Sequence, residues 1–272
     1  MLSKLIKYEF KATARIFLLA YVVVIVLAGI DAAISPLRPD GAAGLGLVFS
    51  ALLGLLFWIA AAAVILLTFV IIVMRFYRML GDEGYLWFTL PVTPAQQILG
   101  KLIPAIVWTI ASVVVVIASA SLALVRLDWI AQLSDVWRGL AAQGFHPGVW
   151  LVCGLVFILI SLLVNVMMFY TAMSVGPNLL KANRLGGSVL AYLIVYFALE
   201  AINLVGFGVI VVLFGKTLSA PNHGTTVTSI DAATGNQAGL IFGSYFGVEY
   251  LVLAVAGFLI TRYFISRKLN LS

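Results

Sequence analysis

The chain has 272 residues, of which 64% are hydrophobic and 10% charged, and a mean hydropathy of +1.17. Soluble domains carry about 25% charged residues, so this composition excludes a soluble globular fold and reads as an integral membrane protein. The single cysteine, Cys153, excludes a disulfide framework and a cysteine metal site. The net charge of +6 gathers at the flanks of apolar runs and forms no basic face with interleaved aromatics, which argues against nucleic acid as a partner.

At the start of the chain Leu2, Leu5, Ile6 and Phe10 recur at helical spacing, while Lys4, Lys7, Lys11 and Arg15 fall on the opposite face. This pattern predicts an interfacial amphipathic helix over 1–15, an elbow lying in the headgroup layer. Its basic face has two uses: holding anionic lipid, at on the order of 1 kcal/mol per basic residue, and touching a cytoplasmic partner. One helix can do both.

Six apolar runs follow, at about 16–34, 44–74, 98–125, 148–175, 188–214 and 240–261. About 20 apolar residues suffice to cross a hydrocarbon layer of roughly 30 Å. The runs are continuous rather than alternating, which selects helices over a barrel. The expected fold is therefore all-α: a polytopic bundle of six transmembrane helices forming one transmembrane domain over 1–272. The first run exceeds a signal-peptide core and no small-residue cleavage pattern follows it, so it is expected to be retained.

Basic residues set the orientation. With the N-terminus inside, Lys4, Lys7, Lys11, Arg15, Arg75, Arg78, Lys101, Lys181, Arg184, Arg262, Arg267 and Lys268 lie on the cytoplasmic side. Only Arg38, Arg126, Arg138 and Lys216 lie outside, so both termini are expected to be cytoplasmic.

Between the second and third runs stands one compact polar interruption over 81–97. Asp82 and Glu83 sit among basic flanks, available to a basic groove or to a helix N-terminus. Gly81 and Gly84 loosen the exit from the second helix, and Pro91 and Pro94 limit helix to short pieces before Gln96 restarts it. Tyr85, Leu86, Trp87, Phe88 and Leu90 are apolar for a loop between spans. They fit a docking face or an interfacial turn resting in headgroups.

On the outer side, Leu127, Ile130, Leu133, Trp137 and Leu140 within 126–147 keep near-helical spacing and predict a segment lying flat on the membrane, a lid or brace between spans. The loop 215–239 contains Pro221-Asn222-His223-Gly224 and Thr234-Gly235-Asn236, both turn chemistry, around a β-prone Thr225–Ile230. Gly215-Lys216-Thr217 mimics the end of a phosphate loop, but Ile210 replaces the glycine expected five positions earlier. His146 and His223 are isolated loop residues, and no metal site is expected.

Among the polar residues within the spans are Glu200 and Asn203 in the fifth, Glu249 in the sixth and Asn165 in the fourth. Intramembrane polar groups mark transport pathways, or they hydrogen-bond across helix interfaces as ordinary glue. Both readings fit these four.

A resemblance carries the function. Glu83-Gly84-Tyr85-Leu86, then Leu90-Pro91-Val92-Thr93-Pro94, then Ile98-Leu99-Gly100-Lys101-Leu102 resembles the signature of type-two ATP-binding-cassette permeases, the type V exporters. The opening Leu2-x-Lys4-x-x-Lys7-Tyr8-Glu9-Phe10-Lys11 is similar to the start of bacterial members. The chain departs from the family in having Asp82 beside Glu83, where an arginine often stands. The resemblance implies a permease subunit that pairs with a second permease, identical or related, and with two separate cassette ATPase subunits that bind ATP and magnesium. This chain would bind no cofactor itself. Asp82, Glu83, Gly84, Tyr85, Leu86, Phe88, Leu90, Pro91 and Thr93 would form the coupling helix region seated on an ATPase, with Lys4, Lys7 and Lys11 on the membrane surface or the same partner. Glu200, Glu249, Asn165 and Asn203 would be candidates for the pathway of an amphipathic or hydrophobic cargo such as an antimicrobial peptide, toxin or lipid.

The alternative is an ion-coupled secondary transporter in which Glu200 or Glu249 carries the proton; inverted repeats and broken helices would support it, and no half-to-half correspondence is visible. An intramembrane enzyme would need a reactive constellation. The chain has no His-Glu-x-x-His motif and no paired aspartates at the inner face, so it is expected to be non-catalytic.

Overall fold

The structure is a computed structural model that describes residues 2–34, 45–80, 92–123, 129–180, 183–218 and 232–267. Seven helices run through the described residues: α1 Leu2–Ile34, α2 Leu45–Leu80, α3 Pro94–Ala123, α4 Trp129–Ala142, α5 Pro147–Leu179, α6 Arg184–Leu218 and α7 Ala232–Arg267. All but α4 are long and apolar enough to cross a membrane. Each extends past its apolar run, because hydropathy marks the hydrocarbon layer while hydrogen bonding carries a helix beyond it.

Two expected boundaries differ. The amphipathic start and the first apolar run form one uninterrupted helix, α1, with no break between Arg15 and Ile16; no glycine or proline stands there to make one. Helix α3 begins at Pro94 rather than Gln96. Thr93 makes the start: its Oγ accepts from Gln96 N at 3.4 Å, and its own amide donates to Gln96 Oε1 at 3.2 Å, a capping box with proline at the first helical position.

The chain divides into two compact units, Met1–Leu133 and Ser134–Asn270. In the first, α1, α2 and α3 close on Phe17, Tyr21, Val24, Ala28, Phe57 and Val64. The Trp108 ring stacks on Phe17 at 4.5 Å and 16°. Beside it runs a chain of hydroxyls. Thr68 donates to Val64 O within α2 at 2.8 Å, so its single hydrogen is used; Ser112 donates to Thr68 Oγ at 2.7 Å, and Tyr21 donates to Ser112 Oγ at 2.8 Å. One directional series thus joins all three helices.

In the second unit α5 packs on both α6 and α7. Gly176 and Gly187 let α5 and α6 touch backbone to backbone: a Cβ on Gly176 would overlap Ser188, and one on Gly187 would overlap the Gly176 carbonyl. Between α5 and α7, the Thr171 hydroxyl donates to Met167 O at 2.8 Å and lies 3.2 Å from both Gly257 O and Thr261 Oγ.

Helix α4 forms where the spacing of Leu133, Trp137 and Leu140 predicts it, and these residues are exposed. It stops at Gly144, whose φ of 85° allows Phe145 N to reach Leu140 O and Gly144 N to reach Ala141 O, a Schellman ending. Thr234-Gly235-Asn236, read as a turn, lies instead inside the start of α7. The first amides of a helix have no intrahelical acceptor, so glycine and asparagine cost little there. Asn236 has a further use: its amide donates to Gly144 O at 3.0 Å, and its Oδ1 accepts from Trp150 Nε1 at 2.9 Å, pinning α7 to the start of α5.

Candidate functional site

The start of α1, the end of α2 and the start of α3 meet at one end of the first unit. On α1 the stripe Leu2, Leu5, Ile6, Glu9, Thr13 and Phe17 turns inward, Glu9, Thr13 and Phe17 being buried, while Lys4, Lys7, Lys11 and Arg15 are exposed. An ionisable side chain therefore stands in the apolar stripe. Burying a lone carboxylate is prohibitive without partners, and it has two. Lys101 Nζ of α3 donates to Glu9 Oε1 at 2.9 Å. Arg75 of α2 places Nη2 at 2.7 Å and Nε at 2.8 Å from Oε2.

The neighbouring residues make this reach possible. Gly100, next to Lys101, has Leu5 Cδ2 at 3.2 Å from where a Cβ would sit, so α3 lies close against the turn of α1 that precedes Glu9. Thr13, one turn further, donates to Glu9 O at 2.8 Å. Lys101 and Glu9 side chains are each 5% exposed and Arg75 is 33% exposed. Short charge-assisted bonds in such shielding are the strong kind. Both carboxylate oxygens are engaged by cations from two other helices, an arrangement suited to clamping three helices together.

The clamp spans the ends of the interruption, since Arg75 precedes it and Lys101 follows it. Of the residues expected to couple, Asp82, Glu83, Gly84, Tyr85, Leu86, Phe88, Leu90 and Pro91 lie outside the described residues, and Thr93 is the cap of α3. Lys4, Lys7 and Lys11 form the exposed face of the same end of α1. Sequence reading placed Lys101 in a motif but assigned Glu9 no partner. The signal was present: Glu9 falls three and four residues from Leu5, Ile6 and Thr13, inside the apolar stripe.

The four polar span residues fall in the second unit and separate in character. Asn165 is exposed and its amide donates back to Ser161 O at 2.8 Å, within α5. Glu200 is exposed on α6. Asn203 and Glu249 are half-buried, and Asn203 Oδ1 and both Glu249 oxygens are shielded without a hydrogen-bond partner. An apolar groove of about 420 Å³ opens between α5 and α7, lined by Trp150, Phe157, Ile160, Gly239, Gly243 and Gly247 among others. No protein-family model, curated protein or solved structure matches the chain.

Proposed function

We propose that the chain is the permease subunit of an ATP-driven exporter, working with a second permease and two separate ATPase subunits that bind ATP and magnesium. The observation that supports this reading best is the Glu9–Arg75–Lys101 clamp. Residues 81–93 are read as a cytoplasmic handle gripped by an ATPase. A force applied there enters α2 and α3 at their ends, and the clamp makes those ends move with α1 as one body. Nucleotide-driven closure of the ATPases then biases the permease pair between inward and outward access. The apolar groove between α5 and α7 favours a hydrophobic or amphipathic cargo.

The test is co-expression with a cassette ATPase and measurement of cargo-stimulated ATP hydrolysis in vesicles. Glu83→Ala and Tyr85→Ala are expected to lower the stimulated rate while the bundle assembles normally. Unchanged coupling in both variants would remove the handle assignment.

A further inference from the structure

In the second unit side chains of α7 reach α6 at two points. The Tyr245 ring lies on Gly206, where a Cβ would overlap it, and the Phe207 and Phe242 rings are 6.0 Å apart. One turn before Gly206 on α6 is Asn203, and one turn after Tyr245 on α7 is Glu249, so with the two helices running in opposite directions the two residues fall at the same level. Their shielded atoms, Asn203 Oδ1 and both Glu249 oxygens, have no hydrogen-bond partner. All three act as acceptors when the carboxylate is ionised. None of these three atoms can therefore bond to another.

Neither helix supplies a counter-charge there. Helix α5 carries no charged residue along its whole length; the nearest basic residues are Lys216 on α6 and Arg262 on α7, each over three turns or about 20 Å along its helix. The titratable groups that face this level are Glu200, one turn before Asn203, and the Tyr245 and Tyr250 hydroxyls; the Tyr250 ring is stacked on Phe157 of α5 at 5.4 Å. A divalent metal cation asks for six or more oxygen ligands, more than this layer offers. A proton asks for one oxygen to carry it and one to accept.

We propose that Glu249 is an intramembrane proton-binding site, the bound proton joining its carboxyl to the Asn203 amide oxygen across α6 and α7. Binding is a simple addition of H⁺ to the carboxylate, with no other bond made or broken, and it converts one of the three shielded acceptors into a donor to another. The site stands independently of the nucleotide-driven reading.

Infrared spectroscopy of the full chain in lipid vesicles tests it. At neutral pH the wild type is expected to show a protonated-carboxyl C=O component that is lost in Glu249→Gln, a substitution with the shape of the protonated form. In Asn203→Leu the component should move to higher frequency, since its hydrogen bond is gone. Exchange of sodium for choline should leave it in place. Identical carboxyl spectra of wild type and Glu249→Gln would overturn the site; an unmoved component in Asn203→Leu would overturn the bridge; a component that appears only when sodium is withdrawn would replace the proton with sodium.

Discussion

Residues 1–133 and 134–270 each hold three long helices together, and they do so with different chemistry. The first unit buries a carboxylate between two cations and runs a series of hydroxyls from α1 through α3 to α2. The second brings backbones into contact at Gly176 and Gly187 and places small hydroxyls between α5 and α7. Charge clamps fix ends and orientation, because a carboxylate accepts only from defined positions. Glycine contacts fix distance, because van der Waals packing is the main attraction available between helices in lipid. The unit that flanks the polar interruption is the one fastened by charge.

The largest expected effect comes from breaking the clamp. Glu9→Gln keeps the volume and removes the charge between Lys101 and Arg75, and loss of one partner of a buried pair costs about 3–5 kcal/mol. Unfolding in lipid-like detergent, followed by accessibility of single cysteines placed in α1 and α3, should show the first unit opening. A cost below about 1 kcal/mol, the scale of a surface pair, would mean that packing of Phe17, Tyr21 and Trp108 holds the three helices without it.

Next comes Gly176→Ala. Its Cβ would meet the Ser188 backbone, which cannot swing aside as a side chain can. Overpacking of this kind costs about 1–3 kcal/mol, occasionally more. The expected readout is a lower unfolding midpoint with the α5–α6 distance lengthened in a spin-label measurement, and no change in the first unit. An unaltered distance would show that the contact is looser than its backbone geometry indicates.

The cap of α3 is a smaller matter. Thr93→Ala removes the hydroxyl that accepts from Gln96 N, and loss of such a cap costs about 1 kcal/mol, within 0.5–2. Amide exchange should rise over the first turn from Pro94 while Lys101, two turns on, keeps its contact with Glu9. Faster exchange reaching α1 would tie cap and clamp into one unit and sharpen the contrast between the two halves.

Much of this architecture is legible in the chain itself. Continuous hydrophobicity marks the six long helices, and the three- and four-residue spacing of Leu133, Trp137 and Leu140 marks α4. The stripe Leu2, Leu5, Ile6 and Phe10 predicts which face of α1 turns inward. The contacts that fasten the helices are not local. Glu9 and Lys101 are separated by 92 positions, and lysine at a helix start has the same composition whether it snorkels to headgroups or pairs inside. Gly176 and Gly187 look like any glycines in an apolar run until their helices cross. Thr234-Gly235-Asn236 carries strong turn chemistry, yet the contacts of Asn236 with Trp150 and Gly144 lie far away in sequence and draw it into α7. Glu249 and Asn203 were visible as costly residues, but only the pairing of Gly206 with Tyr245 sets them on one level.

The smallest effect bears on the hydroxyls, which both units use. Ser112→Ala interrupts a series in which Ser112 both gives and receives, whereas Thr171→Val removes a hydroxyl whose own hydrogen already serves Met167 O within its helix. Interhelical polar contacts in membranes average about 0.6 kcal/mol and reach about 1.7. Thr171→Val should therefore fall near the average, because the Thr261 hydroxyl loses one acceptor at 3.2 Å while the shape of the contact survives. Ser112→Ala should fall nearer the upper value, since Tyr21 retains only its longer bond to Trp108 O at 3.2 Å and Thr68 Oγ loses its donor. Equal costs in the two variants, measured by the same unfolding assay, would show that the hydroxyl series adds nothing beyond its pairs, and would leave the contrast between the two units to the charge of the Glu9 clamp.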